Sequence, residues 1–75
     1  MTAEQIEAKL KTSHPDWDVV AMDMTGTQDH WEVRVAASEF KDLSRIKQHQ
    51  AIMKVFDEEL KSGEIHALSI KTLTK

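Results

Sequence analysis

Four histidines and no cysteine make up the chain's supply of imidazole and thiolate donors, beside thirteen aspartates and glutamates. An imidazole can ligate iron, zinc or copper, and it can change charge near neutral pH. His14, His30, His49 and His66 are therefore the first residues to weigh. No two of them stand at the i, i+4 spacing that brings two rings to one ion on a helix. Without cysteine, a disulfide scaffold is excluded, and so is any site in which this chain alone supplies thiolates. A soft metal centre here would have to borrow its sulfur.

The four differ in setting. His49 lies in a stripe with Ile46, Met53, Phe56 and Leu60, and reads as a ring at the edge of a core with a hydrogen-bonded nitrogen. His14 precedes Pro15 in a bend and has no evident chemical role. His66 stands near the start of "GEIHALSIKT", on the side shared with Leu68 and Ile70, and His30 directly precedes "WEVRVA". Taken singly, His66 reads as a half-buried structural ring and His30 as a solvated loop residue. Their interest depends on whether the fold brings two strand starts together.

Other chemistry is sparse. There is no G-x-S-x-G elbow, and two glycines cannot build a phosphate-cradling loop. Glu4, Glu7, Asp57, Glu58 and Glu59 fall on helix exteriors and read as solvated faces. Lys41, Arg45 and Lys47 form one basic cluster at the start of a long helix, where backbone N–H groups can help hold an anion. Nothing supports a hydrolase or a transferase.

The elements that position these residues follow from periodicity. Thr2 and Gln5 fit a capping box, and Ala3, Ile6 and Leu10 recur on one face, so a helix runs from Thr2 to about Ser13 and stops at Pro15. From Trp17 the pattern becomes period two. Trp17, Val19 and Ala21 fall on one side, Val20, Met22 and Met24 on the other, as in a strand covered on both faces. "TGTQDH" is a hairpin connection around Gly26, and Trp31, Val33 and Val35 then alternate with an outward Glu32 and Arg34. "ASEFKDLS" is a polar connection anchored by Phe40. A long helix is expected from about Leu43 to Lys61, with Gly63 as its left-handed stop, and a last strand from Ile65 to about Leu73.

The order α-β-β-α-β defines an α+β domain with helices on one face of a three-stranded mixed sheet. The short connection makes the first two strands antiparallel, and the helical crossover makes the second and third parallel. Parallel strands start at the same edge. His30 and His66 are thus expected on one rim, about 5 Å apart per strand step.

Seventy-five residues suit a single domain over 1–75. A net charge of −3 and a pI near 5.7 disfavour a protein held to nucleic acid chiefly by charge. "MTAEQIEAKL" resembles neither a signal nor a transit peptide, and a cytoplasmic location is expected.

The segments "TGTQDHWEVRV", "FKDLSRIKQHQAIMKVFDEEL" and "GEIHALSIKT" together resemble the BolA family, in particular its short bacterial members. The strand opening "IHALSI" matches the family's histidine signature, and "S-R-x-K-x-x-Q", Ser44 to Gln50, matches the start of its long helix. The resemblance implies a fold similar to type II KH domains. It also implies a non-enzymatic, stress-linked adaptor that binds a monothiol glutaredoxin and shares a [2Fe-2S] cluster with it and with glutathione. His66 takes the place of the signature ligand and His30 that of the hairpin-loop ligand. The isolated chain then holds no cofactor and is a monomer or a weak homodimer. The alternative implied by some relatives is a nucleic-acid-binding transcriptional regulator, which would use Lys41, Arg45 and Lys47. This chain departs from the family in having Asp42 in "FKDL" where many members have glycine, and it lacks the G-x-x-G loop of true KH domains.

Overall fold

A computed structural model describes residues 1–75. The first helix, α1 (Ala3–Ser13), begins where the capping box predicts. Thr2 N–H donates to Gln5 Oε1 at 2.9 Å, and Gln5 N–H donates to Thr2 Oγ1 at 3.2 Å. Strands β1 (Asp18–Asp23) and β2 (His30–Ala36) pair antiparallel, and β3 (Ala67–Leu73) lies parallel to β2 in the order β1-β2-β3. A short 3-10 helix, Ser38–Asp42, precedes the crossover and places Phe40 in the core.

The core lies between one sheet face and the helices. Ile6 and Leu10 of α1 meet Trp17, Ala21, Trp31, Val33 and Val35 from the sheet side, together with Phe40, Ile52, Phe56 and Ile65. The opposite face is open. Val20 and Met24 are 51% and 57% exposed, so the expectation that β1 is covered on both sides fails: no element packs there, and its apolar residues face solvent. Glu32 departs in the other direction. Expected outward and wet, it is buried and accepts a 3.0 Å hydrogen bond from Arg34 Nε.

The long helix expected from Leu43 to Lys61 is two helices, α2 (Arg45–Val55) and α3 (Asp57–Ser62). The break falls at Phe56, whose backbone turns to φ −107°, ψ 20° while its side chain is fully buried. Asp57, Glu58 and Glu59 then fill the first turn of α3, where carboxylates favour a new helix start.

The expected apolar stripe holds at Phe56, which is buried, and at Leu60, which packs against the core, but not at Ile46 and Met53. Ile46 is 70% exposed and Met53 46%, whereas Ile52 and Phe56, one turn apart, reach the core. The polar Gln48 turns inward in their company. It donates from Nε2 to the carbonyls of Phe40 (2.8 Å) and Leu43 (3.0 Å) and accepts from Thr72 Oγ1 at 2.6 Å. Those three bonds join the 3-10 segment, α2 and β3 through one half-buried side chain. His49 sits half buried beside a surface groove and is not part of the core.

Candidate functional site

The parallel pairing of β2 and β3 sets His30 opposite Ala67, the residue after His66. The last strand starts two residues later than expected. Ile65 is a buried anchor ahead of it, and His66 stands just outside its first residue, which leaves the ring solvent-facing and not on the apolar sheet face. The His30 and His66 ring centroids are 6.0 Å apart at an interplanar angle of 67°. Both rings are reachable, with side-chain exposures of 43% and 60%.

The loop between β1 and β2 is shaped by its own side chains. Asp23 Oδ1 accepts the backbone N–H groups of Thr25 (3.3 Å) and Gly26 (2.9 Å), and Oδ2 accepts that of Gln28 (3.1 Å). Gly26 and Gln28 both take positive φ, at 78° and 61°. On the other side Trp31 Nε1 donates to the Gln28 carbonyl at 3.1 Å. The loop is thereby tied to both strands it joins, and it delivers His30 in a fixed place.

Asp29 is the neighbour that sequence reasoning missed. His30 Nδ1 lies 2.8 Å from its Oδ1, and His66 Nδ1 lies 3.6 Å from its Oδ2. Its main-chain carbonyl accepts the N–H groups of His66 (2.7 Å) and Ala67 (3.2 Å), which stitches the start of β3 to the loop. A hydrogen bond from the Thr27 hydroxyl, then the one with His30, hold the Asp29 carboxyl below its ordinary range. The only available signal was its place beside His30 in the turn. Gly63 also borders the site: a β-carbon there would stand 3.8 Å from His66 Nε2.

The remaining candidates lie around the start of α2 and in the bend after α1. Arg45 lines a groove of about 450 Å³ with Arg34, His49 and Lys71, whereas Lys47 lines a different depression with His14 and Lys54. Lys41, on the 3-10 helix, borders neither depression. The N-terminus of α2 is capped by Ser44, whose Oγ accepts the Lys47 N–H at 3.2 Å. His14 stacks on Trp17, with centroids 3.7 Å apart and planes 5° from parallel.

No set of three or more His, Cys, Asp or Glu side chains is arranged to hold a metal ion. The chain brings two imidazoles to one rim of a mixed sheet. The α+β fold has close counterparts among known proteins.

Residues 5–75 match the family described as BolA-like protein. The chain belongs to that family. An uncharacterized protein of Rickettsia prowazekii, RP812, is 34% identical over 74 residues, covering 99% of this chain and 95% of its own. The solution structure of RP812, described as BolA-like, superposes with a TM-score of 0.75, covering 100% of this chain and 96% of that one. BolA1 from Arabidopsis thaliana is 26% identical, with a TM-score of 0.81 over 96% of this chain and 89% of its own. Yeast Fra2 is 25% identical, with a TM-score of 0.79 over 99% and 80%. The α+β class and the mixed three-stranded sheet are shared with these structures.

Proposed function

We propose that the protein is a non-enzymatic adaptor of iron–sulfur or iron homeostasis. In this reading it binds a monothiol glutaredoxin and ligates a shared [2Fe-2S] cluster through His66 and His30, while the partner's cysteine and glutathione supply sulfur. Membership in the BolA-like family supports the partner class. The observation that carries the reading is the pair of exposed imidazoles, 6.0 Å apart, on a chain without cysteine.

The residues fit the group in number and in kind. A metal bound by imidazole lies about 3 Å from the ring centre, so two rings on one tetrahedral ion stand about 5 Å apart. The observed 6.0 Å needs a closure of about 1 Å, which the exposed His66 ring can make by side-chain rotation. Imidazole in place of thiolate removes negative charge from a cluster and raises its potential, as in Rieske centres. It also provides a ligand that protonates near neutral pH, which suits a site that receives and releases its cargo.

The test is reconstitution with a monothiol glutaredoxin and glutathione, followed by visible absorbance and circular dichroism. His66→Ala is expected to abolish the spectrum of the mixed complex, and His30→Ala to weaken or shift it. A His66→Ala spectrum identical to that of wild type would remove the ligand assignment.

A second reading rests on the groove where Arg45, Arg34, Lys71 and His49 gather. A nucleic-acid regulator using it would bind DNA or RNA with a strong salt dependence, weakened by Arg45→Gln and Lys71→Gln. Absence of any shift at low salt would dismiss it.

A further inference from the structure

We propose that Asp29 is a positioning residue for the histidine pair: its carboxylate holds His30 by Nδ1 and faces Nδ1 of His66, an arrangement that turns the Nε2 lone pair of each neutral ring toward a metal. The inference rests on the adaptor reading for its purpose, but its geometry belongs to the free chain.

An ionised carboxylate only accepts hydrogen bonds. His30 Nδ1, at 2.8 Å from Oδ1, must therefore carry a proton, so that the neutral ring is the tautomer with an unprotonated Nε2. The second oxygen faces His66 Nδ1 at 3.6 Å, beyond hydrogen-bond range by about half an ångström. The ring movement that shortens this contact makes the bond without disturbing the first. A ligating histidine normally donates its other N–H to a carboxylate or carbonyl, which fixes the ring and raises its basicity. Here one side chain stands ready to do so for two rings.

Asp29 is itself held. The Thr27 hydroxyl donates to its Oδ1, and Thr27 Oγ1 is in turn 2.6 Å from Thr25 Oγ1. Its carbonyl is engaged by the N–H groups of His66 and Ala67. The carboxylate and the carbonyl act on different parts of the site. The main-chain bonds join the loop to β3 and survive any side-chain replacement, whereas only the carboxylate reaches the imidazoles. Gly63 completes the arrangement by presenting no side chain next to His66 Nε2.

The experiment reads tautomers directly, by long-range nitrogen–proton correlation NMR of the free protein above the imidazole titration range. Wild type is expected to show His30, and the larger part of His66, with the proton on Nδ1. Asp29→Ala should move both rings to the form protonated on Nε2. Asp29→Asn, which keeps the shape but offers one acceptor and one donor, should release at least one ring and guards against a folding defect in the alanine variant. In the reconstituted complex with glutaredoxin and glutathione, the Asp29→Ala cluster spectrum should decay at least tenfold faster, in line with the usual cost of losing such a partner. Wild-type rings protonated on Nε2, or tautomers unchanged in both variants, would overturn the proposal. Failure of wild type to assemble any cluster would count against the adaptor reading alone, because the tautomers are measured without it.

Discussion

Glu59 carries the least comfortable carboxylate of the molecule. Its Oε2 accepts from Lys9 Nζ, across from α3 to α1, while its Oε1 is buried with no partner. The bond from Lys9 is the main reason the carboxyl is held below its ordinary range. Because the folded value is lowered, the pair stabilises the fold above the unfolded Glu value of about 4.3, and that stability is lost as pH falls through the folded value. Glu59→Gln should therefore cost about 1 kcal/mol at pH 7 and almost nothing at the acid end, as read by urea unfolding across a pH series. Gln48 is the complementary case, a neutral side chain satisfying three groups at once. Gln48→Leu leaves two carbonyls and the Thr72 hydroxyl without that partner and should cost about 2 kcal/mol in the same assay. Neither role was legible in sequence. Hydropathy marks Gln48 as exterior and Ile46 as interior, whereas Gln48 is half buried and Ile46 is exposed.

The β1–β2 loop owes its shape to Asp23, and its stiffness can be tested apart from the site. Asp23→Ala should speed amide exchange at Gly26 and Gln28 at least tenfold, with a global cost of about 1 kcal/mol and little change in the core amides of β2. Gly63, at φ 84°, ends α3 in the conformation expected of it. Gly63→Ala should cost about 1 kcal/mol of thermal stability. Pairing directions and the capping box were readable, since alternation, the short connection and the helical crossover state them. The helix break at Phe56 was not, because an uninterrupted helical pattern spans it. What divides the helix is the depth at which one ring must lie, together with three acids that favour a new first turn.

Twelve buried apolar residues hold the whole chain together, and one sheet face has no cover. With so small a core, a single large deletion is a large part of the total. Phe56→Ala should cost about 3 to 5 kcal/mol and leave the protein partly unfolded at room temperature, as seen by circular dichroism. The histidine pair was legible from topology, since parallel strands begin at one edge. Its carboxylate was not, because the approach of one side chain to two rings is a matter of ångströms that no pattern of residue types encodes.

The parallel register of β2 and β3 has a kinetic meaning as well. His30 and His66 meet only when residues 31 to 65, with both helices of the crossover, are already in place. Closing so long a segment comes late in folding, after local helices and the first hairpin. In a chain whose β2–β3 pairing has not formed, the two imidazoles lie 36 residues apart along the chain with nothing to bring them together. The 6.0 Å between the two rings is thus a local reading of whether β3 has docked on β2.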